Sequence, residues 1–200
     1  MQLDNGLFLG YTSGAMRALI LESGSQDPKL AEKQSPSCEA DCAKIRLHAA
    51  GWNRRDYWIT QGKYPGIQLP VILGSDGCGV VEECPSDFNL IGQEVIICPS
   101  INWGDDPLHQ SPQFHILGMP SNGTFAEEIV VPVENIFAKP SHLSEEQAAA
   151  LPLAGLTAWR ATHSRAQIEA GEKVLVTGIG GSTAIFAMQI ALAKGAEVYV

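Results

Sequence analysis

The feature that most constrains the fold is "VLVTGIGGSTAIFAMQIALAKGAEVYV", residues 174–200. An apolar strand at 174–177 leads into a glycine cluster at 178–181. An apolar segment of helical length, 183–194, and a second apolar strand, 196–200, follow. A strand that is apolar throughout is typical of a parallel sheet covered on both faces. The pattern therefore predicts a β-α-β unit.

The glycine cluster of this unit predicts a phosphate-binding turn. Glycines at this place let the chain turn tightly and let backbone N–H groups approach a phosphate at the N-terminus of the next helix. Gly178, Gly180 and Gly181 supply the glycines, and Ser182 and Thr183 add N–H and hydroxyl donors. Because a buried strand, a helix and a second strand accompany the turn, we interpret it as the pyrophosphate site of a dinucleotide rather than a purely structural turn.

The second strand of the unit is where the cofactor choice is usually made. The residue that distinguishes NAD from NADP lies about 20 residues beyond the turn, and the printed sequence ends there, at Val200. Two parallel strands form a poor independent fold, because one crossover helix covers only one of their faces. We therefore expect a truncated form of a longer protein. The alternative is that a partner or a swapped copy supplies the remainder.

The rest of the chain shows a different pattern of apolar and turn-forming residues. Short apolar or alternating runs separated by glycine and proline predict strands of a barrel or sandwich, at 16–22, 42–51, 71–83, 92–99 and 123–132. After Pro140, Ser144 followed by "EEQ" predicts a capped helix, and Pro152 ends that helix or starts a second one. We place the boundary between the two regions near residues 140–150.

Composition limits the partners. The net charge is −9, which argues against a nucleic-acid partner because such binding depends on clustered Lys and Arg. The five cysteines show no paired metal-site spacing and are expected to be free thiols in a reducing compartment. The sequence has no apolar run of membrane-spanning length and no signal peptide in its first 15 residues. We predict a cytoplasmic protein that acts on a small molecule, without nucleic-acid or membrane partners.

Several motifs in order resemble one known family. They are "GWNRRDYWITQGKYPGIQLPVILGSDGCGVV" (51–81), "GTFAEEIVVP" (123–132), "EEQAAALPLAGLTAWRA" (145–161) and the glycine turn. Together they resemble the medium-chain dehydrogenase/reductase superfamily. Within it, the chain is most similar to the zinc-type alcohol dehydrogenase-like proteins related to quinone oxidoreductases.

The resemblance implies an α/β protein with a β-rich part. Residues 16–140 would form a GroES-like, partly open β-barrel on the substrate side. Residues 141–200 would form linker helices and the first β-α-β unit of an incomplete Rossmann domain, and residues 1–15 an N-terminal extension. Family members often dimerise through the cofactor domain, so the resemblance allows a homodimer of the full-length protein.

The resemblance also implies a nicotinamide cofactor, NADP(H) rather than NAD(H), and hydride transfer to a quinone, an enone or another carbonyl. Zinc-dependent members have a cysteine where this chain has Asn53 and a His-Glu pair at Ser75-Asp76. The loop at 101–118, which corresponds to the structural-zinc lobe, has no cysteine. Since asparagine and serine are poor zinc ligands, we predict no zinc. The longer loop at 100–121 is expected to line the cleft.

The quinone-reductase pattern N-x-x-D-x-Y supplies candidate catalytic residues. Asn53 and Asp56 match it, whereas the tyrosine position holds Trp58, with Tyr57 beside it. Tyr64 matches a later family tyrosine. The resemblance therefore assigns catalysis to Asn53, Asp56, Tyr57 and Tyr64, and it places Thr157 of "GLTAW" against the nicotinamide.

Each candidate also has a plain structural interpretation. Asn53 is a candidate N-cap of a short helix at 54–60, Asp56 a candidate orienting group, and the tyrosines candidate packing residues. A different class of function stays open as well. The chain is then a catalytically silent fragment or a binding module that uses an exposed strand edge. A zinc alcohol dehydrogenase is a third hypothesis, disfavoured by Asn53 and Ser75.

Overall fold

The computed structural model describes residues 14–200. Its strands, in chain order, are β1 Ala15–Leu21, β2 Lys29–Gln34, β3 Cys42–Gly51, β4 Val71–Ile72, β5 Asp76–Glu83, β6 Glu94–Ile97, β7 Ser100–Ile101, β8 His115–Ile116, β9 Glu128–Pro132, β10 Ile136–Ala138, β11 Lys173–Leu175 and β12 Glu197–Tyr199. Its α-helices are α1 Arg54–Thr60, α2 Glu145–Ala149, α3 Pro152–Trp159 and α4 Ser182–Ala193.

The largest sheet is antiparallel, with strand order β10-β6-β5-β3-β9. The strands β3 and β5 approach closely because of Gly79. A Cβ at Gly79 would lie 2.1 Å from the carbonyl oxygen of Arg46 on the neighbouring strand, so only glycine fits there. The inner face of this sheet packs the main core of fully or nearly fully buried aliphatic side chains, which includes Ala43, Ile45, Val81, Val95, Ile97 and Val131.

A smaller antiparallel sheet, in the order β2-β1-β4, completes the predicted partly open barrel. The strand β1 alternates buried and exposed residues, as expected for a strand with one face on a core. A single bridge between Ala18 and Ala126 connects β1 to the segment before β9. The second core cluster, which includes Leu21, Ile59 and Leu73, lies between this sheet and α1.

The helices after the barrel follow the predicted signals. Ser144 caps α2 through a reciprocal pair of bonds: the Gln147 N–H donates to Ser144 Oγ at 3.2 Å, and the Ser144 N–H donates to Gln147 Oε1 at 3.0 Å. Pro152 occupies the first turn of α3, where its missing N–H has no cost. The helix continues beyond Trp159 as a π-helical turn, Arg160–Arg165.

The predicted β-α-β unit is present at 173–199. The strands β11 and β12 pair in parallel, with Val174 opposite Val198, and α4 is the crossover helix between them. A small core of Ile168, Ala191 and Ala196 joins the helix to the strands. The two parallel strands are therefore joined by a crossover helix, as the sequence pattern predicted.

Two strand predictions need correction. The run 71–83 forms two strands in different sheets, because Gly74 turns the chain with φ +94° and a Cβ there would lie 2.5 Å from the Phe125 ring. The strand β2 was missed, since its sequence "KLAEKQ" is almost entirely exposed at a sheet edge and carries no apolar period.

The domain boundaries stay predictions. Residues 1–13 of the predicted N-terminal extension lie outside the described residues, and β1 begins at Ala15, one residue before the predicted barrel start. Within residues 14–200, no helix is long and apolar enough to cross a membrane.

Candidate active site

A cleft of about 900 Å³ lies between the barrel and the β-α-β unit, a volume typical of ligand sites. The start of α1, one face of α3 and the turn before α4 form its walls. Eight of the residues predicted from the sequence line this cleft together: Asn53, Tyr64, Thr157, Gly178, Gly180, Gly181, Ser182 and Thr183.

The glycine turn presents an open backbone to the cleft. Gly178 has φ +74°, and the Gly181 N–H donates to its carbonyl oxygen at 3.0 Å. A Cβ at Gly178 or Gly180 would meet no atom within 4 Å. The space beside the turn is therefore free for a ligand.

The helix α4 begins directly after this turn, at Ser182. No described side chain caps its N-terminus. The first N–H groups of a helix have no intrahelical partner, and they carry the positive end of the helix dipole. An uncapped N-terminus at a glycine turn is a ready site for a phosphate or another anion.

Asn53 is the N-cap residue that the sequence predicted for α1, and it also lines the cleft. Its extended backbone, with φ −116° and ψ 154°, makes it the N-cap residue of α1. Its backbone N–H donates to Asp56 Oδ2 at 2.8 Å, and its side-chain Nδ2 donates to Asp76 Oδ2 at 2.8 Å. The Asn53 amide is thus held in one orientation at the cleft wall.

Asp56 lies behind Asn53 and has no exposed surface. Its carboxylate accepts the Asn53 N–H and, at 3.4 Å, the Gly74 N–H. Burial raises the pKa of Asp56 above its ordinary value, although these backbone hydrogen bonds and the neighbouring Arg55 oppose the rise. Asp56 is not among the residues that line the cleft. Its contacts fit an orienting group for Asn53.

Asp76 is the second buried carboxylate, and sequence analysis gave it no role in chemistry. Burial raises the pKa of Asp76 to about 6, and the negative charge of Asp56 acts in the same direction. The hydrogen bonds from Asn53 and from the Leu153 N–H oppose the rise. The sequence feature that could have pointed to Asp76 is the pair "SD", which stands where zinc-dependent relatives have a His-Glu pair.

Arg55 was also missed, and it is a buried cation. Its guanidinium donates to Ser75 Oγ at 2.8 Å, to the Leu117 carbonyl at 2.6 Å and to the Met119 carbonyl at 3.2 Å. The Tyr64 ring lies 5.1 Å from its central carbon, within cation–π range. The signal that could have found it is the pair of arginines directly after Asn53, in the first turn of a helix expected at the site.

The neighbouring Arg54 is exposed and lines the cleft. It therefore brings a second positive charge to the same space as the α4 N-terminus. A cleft with two arginines at one wall and a helix N-terminus at the other favours an anionic ligand.

The remaining predicted residues are placed differently. Thr157 lines the cleft, and its hydroxyl donates to the Leu153 carbonyl at 2.7 Å. Tyr57 is about half exposed, packs edge to face on Trp58 and is not among the lining residues. The catalytic role assigned to Tyr57 stays a prediction.

The loop at 101–118 contributes little to the cleft. Ile116 is its residue on the cleft wall. The Trp103 ring lies under the Arg160 guanidinium at 4.2 Å, and Arg160 also donates to the carbonyls of Pro107 and Leu108 at 2.9 and 3.0 Å. Arg160 of the π-helical turn after α3 therefore holds this part of the loop, and Trp103, Pro107 and Leu108 do not line the cleft.

The residues at the family's catalytic zinc position do not fit zinc. Ser75 Oγ accepts from Arg55 and donates to the Leu117 carbonyl at 2.8 Å. Asn53 is bonded to Asp76, and a fixed guanidinium charge at Ser75 would repel a second cation. Among residues 14–200, no three His, Cys, Asp or Glu side chains form a group that could hold a metal ion.

Comparison with known proteins places this geometry in context. Residues 39–141 match the alcohol dehydrogenase GroES-like domain. The zinc-type alcohol dehydrogenase-like protein YogA of Leptosphaeria maculans is 36% identical over 174 residues, covering 78% of this chain and 47% of its own. Acryloyl-coenzyme A reductase of Sulfurisphaera tokodaii is 31% identical over 194 residues, covering 92% and 57%.

Solved structures agree with these relatives. The structure of an NAD-dependent alcohol dehydrogenase matches with a TM-score of 0.84 and 34% identity, covering 92% of this chain and 57% of its own. The chain thus spans about half the length of the curated relatives that it matches.

Proposed function

The chain belongs to the alcohol dehydrogenase GroES-like family of the medium-chain dehydrogenase/reductase superfamily, and we propose that it forms part of a zinc-independent, nicotinamide-dependent oxidoreductase. Its substrate would be a quinone, an enone or another conjugated carbonyl compound. The observation that carries the proposal is one shared cleft. The glycine turn and the uncapped α4 N-terminus face the same space as Asn53, Tyr64 and Thr157.

The chain's own residues divide the work of binding. The N–H groups of Ser182 and Thr183 at the start of α4 would hold the pyrophosphate, with the positive charge of Arg54 on the opposite wall. Thr157 and Asn53 would border the nicotinamide. When bound, the nicotinamide supplies a hydride.

Substrate reduction without a metal requires another means of stabilising charge on the substrate oxygen. Hydride addition to a quinone or an enone yields a phenolate or an enolate, which hydrogen-bond donors can stabilise. Asn53, whose amide is fixed by Asp76, and Tyr64 are two neutral donor-bearing side chains at this wall. The buried guanidinium of Arg55 adds a fixed positive charge nearby.

Zinc independence has a direct test. Purified protein dialysed against metal-free buffer is expected to contain less than about 0.1 equivalent of zinc, because Ser75 and Asn53 are committed to protein partners. Measurement by plasma mass spectrometry checks this. One equivalent of zinc retained per chain would contradict the proposal.

Cofactor binding is tested at the turn itself. Gly180→Ala adds a methyl group to open space with no backbone strain, so the fold is expected to stay intact. The same methyl group would stand where a pyrophosphate approaches the backbone, so NADH and NADPH affinity should fall by about ten-fold or more. Tryptophan quenching and thermal protection measure the affinity.

A matched control uses a glycine outside the cleft. Gly155→Ala in α3 meets the flexible Leu151 side chain at 3.2 Å and should leave nucleotide affinity unchanged. If wild-type protein binds neither nucleotide, the hypothesis of a catalytically silent binding module replaces this one.

A further inference from the structure

The Asp76 carboxylate connects the two sides of the cleft. Asp76 is the first residue of β5 and is 1% exposed. Its Oδ2 accepts from the Asn53 side-chain amide at 2.8 Å, and its Oδ1 accepts from the Leu153 N–H at 2.8 Å. One partner belongs to the barrel side at the start of α1, and the other belongs to the first turn of α3.

The backbone around Asp76 leaves little freedom. Its carbonyl oxygen accepts from the Thr124 hydroxyl at 2.8 Å, and it pairs with Gly51 in the sheet. A Cβ at Gly51 would lie 3.1 Å from Asp76 Cβ and 2.8 Å from the Ala149 carbonyl oxygen. Such close packing holds the carboxylate in place.

The contact with α3 extends to Thr157 through a single helical turn. Leu153 donates its N–H to Asp76, and its carbonyl accepts the Thr157 hydroxyl at 2.7 Å. A carboxylate at the first turn of a helix is also favoured by the helix dipole. Asp76 therefore helps to fix the position of Thr157 on the cleft wall, through Leu153.

From these contacts we propose that Asp76 is a positioning residue that fixes Asn53 and Thr157 relative to each other across the cleft. The consequence for hydride transfer rests on the proposed function, whereas the positioning itself does not. Asp76 acts through these two residues.

Charge decides whether Asp76 can hold both partners. Both partners are donors, so each carboxylate oxygen must accept a hydrogen bond. Protonation would turn one oxygen into a donor that faces another donor. The charged groups that face Asp76 are Asp56 and Arg55 of α1, while α3 contributes its backbone N–H. Burial raises the pKa of Asp76 to about 6, so the contacts should loosen below about pH 6.

Nuclear magnetic resonance of the wild-type chain tests the positioning without a cofactor. The Asn53 side-chain amide and the Leu153 N–H signals are expected to shift together with an apparent midpoint near pH 6. A pH-dependent shift that appears at only one of the two groups would overturn the proposal, because the Asp76 carboxylate is hydrogen-bonded to both. This measurement needs no variant to fold.

Two isosteric variants separate Asp76 from its neighbour. Asp76→Asn keeps one acceptor and presents an NH₂ group to the other donor, so signals of both Asn53 and Thr157 should move. Asp56→Asn is the matched control, since Asp56 contacts Asn53 and has no described hydrogen bond to α3. It should move the Asn53 signals and leave Thr157 unchanged. Unmoved Thr157 signals in Asp76→Asn would refute the link.

Binding and turnover complete the test. Asp76→Asn should bind ADP-ribose, which lacks the nicotinamide, within about two-fold of wild type, because Asp76 does not line the cleft and its described hydrogen bonds do not involve the glycine turn. Its kcat for NADPH-dependent quinone reduction should fall by about ten- to hundred-fold. Unchanged kcat in a variant that binds ADP-ribose contradicts the catalytic consequence. Wild-type protein that binds neither ADP-ribose nor NADPH contradicts the proposed function, and the resonance measurements still decide the role of Asp76.

Discussion

The barrel and the β-α-β unit differ in how well the described residues cover their apolar surfaces. In the barrel, Leu21, Ile45 and Ile97 have no exposed surface. In the β-α-β unit, Leu175 is 70% exposed and Leu192 is 52% exposed, although parallel strands are usually covered on both faces. The barrel therefore carries most of the burial that stabilises the chain, while the glycine turn lies on the less covered unit.

Buried polar contacts follow the same division. Arg55, Asp56 and Asp76 are buried on the barrel side of the cleft. Asp76 accepts a hydrogen bond from Asn53, and Arg55 donates one to Ser75. The β-α-β unit contributes mainly backbone N–H groups at a helix end. A buried wall thus holds the side chains proposed for chemistry, whereas the turn proposed to bind the cofactor depends on main-chain geometry. Three predictions test this contrast.

The largest expected effect is the loss of the buried cation. Arg55→Met removes donors from Ser75 and from the Leu117 and Met119 carbonyls, and it leaves the two carboxylates without their cation. We expect a loss of about 3–5 kcal/mol in the free energy of unfolding by urea. Arg54→Met, at the exposed neighbour, should change it by less than about 0.5 kcal/mol. Equal effects of the two variants would remove the contrast between buried and exposed charge.

The next effect concerns pH and the charge on Asp76. Its pKa is 3.8 ordinarily and about 6 in the folded chain, so the folded state binds the proton more tightly than the unfolded state. Protonation then favours folding, and the free energy of unfolding contributed by Asp76 falls as pH rises from about 4 to about 6. The fall is about 3 kcal/mol at full ionisation.

Urea unfolding of wild type and Asp76→Asn across this pH range isolates that contribution. The difference between the two free energies should change by about 2.4 kcal/mol between pH 4 and pH 7 in favour of the variant, since part of the unfolded-state ionisation is already complete at pH 4. The burial of Asp56, which also raises its pKa, is common to both proteins, so the difference reports Asp76 together with its charge interaction with Asp56. A difference that is constant with pH would show that Asp76 does not titrate in this window.

The smallest effect compares the same substitution in the two regions. Val131→Ala in β9 removes methyl groups from a site that is 1% exposed, and it should cost about 2 kcal/mol in urea unfolding. Val174→Ala in β11, at a half-buried site, should cost less than about 1 kcal/mol. Hydrogen exchange should also be faster for β11 and β12 amides than for β3 amides. A larger cost at Val174 would reverse the comparison.

Local sequence patterns predicted the elements whose signals lie within a few residues. The helix 54–60 is found as α1 Arg54–Thr60, and Ser144 caps α2 as predicted. The glycine turn is followed by α4 and β12 as predicted. The strand β2 escaped prediction because an exposed edge strand needs no apolar period, and its pairing with β1 decides its conformation.

The sequence by itself determined the family, through several motifs in order along the chain, and it determined the short helix 54–60 and the turn-helix-strand segment after β11, because those signals lie within one short segment. Only the tertiary structure decided what surrounds Asn53. Asp76 lies 23 residues from Asn53 and 77 from Leu153 in the chain, yet it bonds to both. Arg55 reaches carbonyls 62 and 64 residues away. Such contacts depend on how the barrel closes and where α3 docks, so no local pattern encodes them.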